Sequence, residues 1–165
     1  MTEATDAINR LAGLPPGSPL AQLRRARPDV VRHIQGSDDA IFKPRDDGGL
    51  SRAERAAAAL QVATALRDTV LQDHYRARLA LLDPAGALAK TVDAGGQAAD
   101  RRRSAILAHV DRLTADPGRA RRADIDGLLA AGLSPRAVVS LSQLIAFVNF
   151  QSRVLAGLRM LKGAP

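Results

Sequence analysis

The 165-residue chain contains no cysteine and no tryptophan, and only one tyrosine and three phenylalanines. Without a thiol it can form no disulfide, hold no metal through thiolates and run no cysteine-based redox cycle. With so few rings, the core must be filled by alanine, leucine, valine and isoleucine. No alternating β-branched run of useful length occurs, so strands have no signal. No apolar run approaches the roughly eighteen residues of a membrane span. The stretch from Met1 to Ala7 is polar and acidic, unlike a signal peptide. A soluble, cytoplasmic protein that makes no membrane contact is the expectation.

What is present points to helices. Alanine and leucine dominate, both strong helix formers, and this length suits one domain with a real core. The expected fold class is all-α. A net charge of +7 raises nucleic-acid binding as one reading. Of the 24 basic residues only Lys43, Lys90 and Lys162 are lysine, a skew that also fits a GC-rich genome. The clusters Arg24–Arg27, Arg101–Arg103 and Arg119–Arg122 have aspartates nearby and no recognition-helix or RNA-binding signature. A solvated charged surface is the plainer reading.

Punctuation divides the chain. A short helix over residues 4–13 ends at Pro15-Pro16-Gly17. Ser18-Pro19 restarts a helix through Arg27, and Pro28 opens another that should break near Gly36-Ser37. Ile41-Phe42 precedes an exposed loop, Lys43 to Gly49. Residues 1–49 thus read as an N-terminal helical arm, packed on or swapped between neighbouring cores. The core, residues 50–165, opens at Leu50-Ser51-Arg52-Ala53-Glu54, a capping box followed by the alanine run Ala56 to Ala59. Asp68-Thr69 caps a second piece, and Asp83-Pro84 and Gly95-Gly96 mark turns. Gln97 to Ala115 reads as a helix, and a short one from about Ala123 ends at Gly132.

The last helix, from Leu133 to Leu161, carries the densest apolar content and is apolar almost all round. Such a helix is buried in a core or between subunits. At 100° per residue its polar exceptions Ser142, Asn149 and Arg153 fall within an arc of roughly 40°. Gly157 lies one turn beyond Arg153. A buried arginine must be paired, and the Asn149 carbonyl is one turn away. The pair is either a clamp that fixes how the helix docks or the polar spot of an apolar pocket.

Ala130-Ala131-Gly132-Leu133-Ser134-Pro135-Arg136, followed by Phe147-x-Asn149-x-x-x-Arg153-x-x-x-Gly157-Leu158, resembles the C-terminal half of AhpD-like proteins. This superfamily holds the alkylhydroperoxidases, the carboxymuconolactone decarboxylases and peroxidase-related proteins. The resemblance covers about residues 104–161 well and is looser before that. It implies an AhpD-like helical bundle that assembles as a trimer or hexamer, or a dimer of these, without a cofactor.

In the peroxidase branch, the helix after a Leu-Ser-x-x-Glu opening carries a Cys-x-x-Cys and a histidine. Here Leu50-Ser51-Arg52-Ala53-Glu54-Arg55 matches that opening, and the pattern then fails. If His74 is the family's histidine, the cysteine positions hold Arg67 and Val70. In the gapless register they hold Asp68 and Leu71, and Tyr75 replaces the histidine. Neither register supplies a thiol, so thiol-peroxidase chemistry is excluded.

What survives is Glu54 and His74 as candidate acid/base groups, and Arg153, Asn149 and Arg67 as candidate ligand-binding groups. The decarboxylase branch needs no cysteine and makes cofactor-free acid/base chemistry on a small acid one reading. Glu54 also has a structural duty in its capping box, while His33 and His109 have less context than His74. No histidine pair has metal-ligand spacing, so no metal is expected. A non-catalytic partner of a redox-active relative is the alternative from another class.

Overall fold

The computed structural model describes residues 6–96 and 100–163. Among them lie nine α-helices and no strand: α1 (Ala7–Leu11), α2 (Pro19–Arg25), α3 (Pro28–Phe42), α4 (Arg52–Ala65), α5 (Thr69–Ala80), α6 (Ala87–Asp93), α7 (Arg101–Ala115), α8 (Arg122–Ala130) and α9 (Pro135–Gly163). The all-α class is therefore observed.

The bundle is built around α4. Ser51 and Glu54 close the expected capping box, each side chain bonded to the other's backbone N–H. Every residue from Arg55 to Ala63 is buried. The four alanines let α5, α6, α7 and α9 approach it closely. Helix α9 packs against α4 and α7, and its Leu141, Leu144, Val148 and Leu155 are buried in the shared core. Its opening works as the sequence suggests: the Ser134 hydroxyl accepts from Ala137 N at 3.1 Å and donates to Gly48 O at 3.1 Å.

At 29 residues α9 is long and apolar enough, by length and composition, to cross a membrane. Half of its most apolar window is packed inside the bundle. Its four charges, Arg136, Arg153, Arg159 and Lys162, had interrupted the apolar run at the sequence level.

The first three helices share the core, to which Ile8, Ala12, Leu14 and Phe42 all belong. Two arginines fasten them. Arg55, buried and without a carboxylate partner, donates to the carbonyls of Leu50, Ile41 and Asp47 and so pins the loop before α4. Arg78 on α5 reaches the buried Asp38 of α3 at 3.0 Å, its guanidinium 4.2 Å from the Phe42 ring centre.

Three sequence expectations need correction. Helix α3 runs unbroken through Gly36-Ser37, because a buried side on Asp38 and Phe42 holds it while Gly36 sits in open space. Helix α6 was not foreseen; it starts from Gly86 in the left-handed region and is anchored by Leu88 and Val92. Helix α7 begins at Arg101 with Asp100 as its cap, and residues 97–99 lie outside the described residues. Of the expected helix over 4–13, α1 covers Ala7–Leu11, and residues 4 and 5 are likewise outside.

Candidate functional site

Ser142, Asn149 and Arg153 line one cleft of about 280 Å3, where the C-terminal turn of α7 and the 3-10 turn Pro117–Arg119 lean on α9. Leu113, Pro117, Ile145 and Ala146 form its apolar wall, and Thr114 completes it. Asn149 is buried; its amide donates to Ile145 O at 3.0 Å, leaving its carbonyl for Arg153 Nη1 at 3.5 Å. Ser142 donates back to Val138 O, and the Thr114 hydroxyl oxygen, shielded from solvent, has no partner.

Arg153 itself is exposed, which corrects the expectation of a buried guanidinium. It stands at the rim of the cleft because α9 turns that side outward. Among the described residues it forms no ion pair, so its charge is free to meet a ligand.

Glu54 does not join it. Thr114 and Arg102 sit twelve positions apart on α7, which separates the cleft from the Arg102 end by roughly 18 Å along the axis. Glu54 is at that far end, where Arg102 Nε holds Oε1 at 2.6 Å and Ser51 N holds Oε2 at 2.8 Å. Burial pushes the Glu54 carboxyl up, but these hydrogen bonds outweigh it and leave the group below its ordinary range. A separate polar cleft of about 400 Å3 opens beside it, with Asp83, Asp100 and Arg103. Arg102 also donates to Gly132 O and Gly49 O, tying α4, α7 and the α8–α9 junction together. Nothing in the run Arg101-Arg102-Arg103 had marked its middle member as an internal strap.

His74 lies in a third place, against the arm. Its ring packs edge-on to Tyr75 with centroids 4.9 Å apart. Burial, then the Arg78 charge, lowers its pKa to about 4, with Asp38 opposing. It is neutral at pH 7.

Arg67 is a fourth. It is exposed at the α4–α5 junction with φ 56°, where its N–H bonds Thr64 O and the next N–H, of Asp68, bonds Ala63 O. This is a Schellman turn with arginine where glycine is usual.

The positions that the family resemblance assigns to the thiols and the histidine have other duties. Asp68 is buried and caps α5 through Leu71 N, while its carboxylate also takes the Ser152 hydroxyl at 3.2 Å and Arg159 Nη2 at 3.2 Å. Leu71 is wholly buried. Tyr75 is buried with its hydroxyl on Gln151 Oε1, and burial drives its pKa far above the ordinary value. Val70 is part-exposed on α5. Among the described residues no group of three or more His, Asp or Glu could hold a metal ion.

Each basic cluster has at least one member in an ion pair. Arg24 meets Asp6 at 2.8 Å, Arg103 meets Asp100 at 3.3 Å and Arg122 meets Asp126 at 3.0 Å.

The fold has a known counterpart. The crystal structure of an uncharacterized peroxidase-related protein from Silicibacter sp. TM1040 matches with a TM-score of 0.71 and 17% sequence identity. The match covers 78% of this chain and 68% of that one. At this identity the likeness concerns the fold. No protein-family model and no curated protein matches the sequence.

Proposed function

We propose that the protein is a cysteine-less member of the AhpD/carboxymuconolactone decarboxylase type and binds a small amphiphilic carboxylate in the α7–α9 cleft. The peroxidase-related fold counterpart and the C-terminal sequence resemblance support the first half. The observation that carries the second is Arg153, an unpaired guanidinium held by Asn149 at the rim of a mostly apolar cleft. Its fork suits a carboxylate. Leu113, Pro117 and Ile145 receive the hydrocarbon part. The volume is at the small end for ligand sites, so a compact ring or short chain fits better than a cofactor. The cleft contains no carboxylate and no imidazole, which favours binding over proton transfer.

Calorimetric titration with benzoate and short-chain fatty acids tests this. Wild type is expected to bind in the millimolar range or tighter, about −4 kcal/mol or better. Arg153→Met is expected to lose that binding with its melting temperature unchanged, since the side chain is exposed. Equal binding by the variant would overturn the reading.

One observation favours a second reading, assembly with a second copy. The outward residues Val139, Gln143, Ala146, Phe150, Arg153, Gly157 and Met160 are all exposed and spaced alternately four and three apart, the seam of a paired helix. A two-fold axis at Phe150 sets Ala146 opposite Arg153, Gln143 opposite Gly157 and Val139 opposite Met160, so each bulky polar side chain faces a small residue. Gly157 costs about 1 kcal/mol in mid-helix, and a Cβ there would meet nothing within the chain. Close approach by a partner helix gives it a purpose. Such pairing would roof the Arg153 cleft rather than fill it.

A further inference from the structure

Among the described residues, His109 is the one side chain with two buried polar atoms and no partner for either; it lies on the side of α7 that faces α8. It is 5% exposed, and neither ring nitrogen has a hydrogen-bond partner. Buried polar groups are almost always paired, and leaving one unpaired costs about 1–3 kcal/mol. Burial lowers its pKa, with Asp124 opposing, so the ring is neutral and offers one donor and one acceptor.

His109 lines a cleft of about 260 Å3 between α7 and α8. Its walls are small, Ala105, Ala108, Ala123 and Gly127, over a floor of Leu128. Two opposite charges stand beside the histidine. Arg112 Nε is 4.0 Å from Asp124 Oδ1, too far for a hydrogen bond. Asp124 Oδ2 is taken by Arg121 N at 2.8 Å, while Oδ1 accepts no hydrogen bond among the described residues. The cleft thus presents a free carboxylate oxygen and a guanidinium with unused donors, and the orphaned imidazole sits in its wall with both nitrogens closed to solvent.

We propose that this cleft binds a small net-neutral zwitterion of the amino-acid class, its carboxylate on Arg112, its ammonium on Asp124 Oδ1 and a further polar atom on a nitrogen of His109, whose ring turns toward the cleft to meet it. The charges decide the class. Arg112 and Asp124 cancel, so a simple anion meets one attraction and one repulsion, as does a simple cation. A zwitterion satisfies both, and the third polar contact favours serine over alanine. This site shares no lining residue with the Arg153 cleft and stands or falls separately from it.

The test is nitrogen-detected imidazole NMR on the full chain, which has only three histidines to resolve. Glycine, alanine and serine are titrated to millimolar concentration, with acetate and methylammonium as half-ligands. Saturable shifts of the His109 ring are expected with serine, and the half-ligands should bind about tenfold or more weakly, at least 1.4 kcal/mol less. Arg112→Met, at an exposed position, should abolish the shifts while the spectrum stays folded. His109→Leu should abolish serine binding, measured by calorimetry, while raising the melting temperature of the free protein, because an orphaned polar group is removed. Acetate binding as tightly as serine, a His109 ring unmoved by every probe, or serine binding intact in Arg112→Met would each overturn the proposal.

Discussion

Arg67 and His74 show how a residue's surroundings decide what it can do. Arg67 adopts φ 56° in the turn that ends α4. A side chain in the left-handed region costs about 1 kcal/mol that glycine would not. Arg67→Gly is therefore expected to raise stability by roughly that amount in denaturant titrations, and to leave carboxylate binding at the Arg153 cleft unchanged.

His74 bears on pH. Its pKa falls from 6.5 in the unfolded chain to about 4 in the fold, so between these values the unfolded state binds more protons. Its contribution to stability is fully present above the unfolded value and is lost as pH falls toward 4. His109 shifts in the same direction. The urea midpoint is expected to drop from pH 7 to pH 5, and His74→Gln should flatten that slope. At this scale the sequence was only partly legible. The helical arc of Ser142, Asn149 and Arg153 could be read from spacing alone, since one helix carries all three. The separation of Glu54, His74 and Arg67 could not, because it depends on where three other helices lie. His109 gave no signal, for a lone histidine in a helix looks the same whether its ring is solvated or sealed.

Elements were legible where local chemistry sets them. Ser51/Glu54, Asp68, Ser134 and the turn at Gly132 mark helix ends through hydrogen bonds made within a few residues, and each end is where those residues stand. The continuity of α3 was not legible, because tertiary packing outweighs the weak propensity of Gly36 and Ser37. That packing depends on the Asp38–Arg78 pair, in which Asp38 is the more deeply buried partner. Removing the carboxylate would strand the guanidinium over the Phe42 ring without its ion-pair partner. Asp38→Ala is expected to cost about 3 kcal/mol. Hydrogen exchange should show the loss concentrated in α3, and uniform weakening of α4 and α9 would contradict this placement.

At the scale of the whole molecule, α4 and α9 divide the work. The first is enclosed on every side, whereas the second is enclosed on one side and carries an exposed apolar seam on the other. Near-uniform apolarity in α9 was legible in sequence; which part faces the core was not, because both faces are apolar. If that seam joins two copies, light scattering should give at least a dimer. Phe150→Glu, at the proposed axis and outside the core, should yield a folded monomer. A monomeric wild type would leave the exposed seam without this partner.

The central proposal is that the α7–α9 cleft binds a small carboxylate, with Arg153 as its anion-binding group. The most direct measurement is backbone amide NMR of the wild type and of Arg153→Met during titration with benzoate. The expected result is saturable shifts confined to residues 113–117 and 142–153, absent from the variant. Shifts that persist in the variant, or that cluster around Glu54 and Asp83 instead, would contradict it.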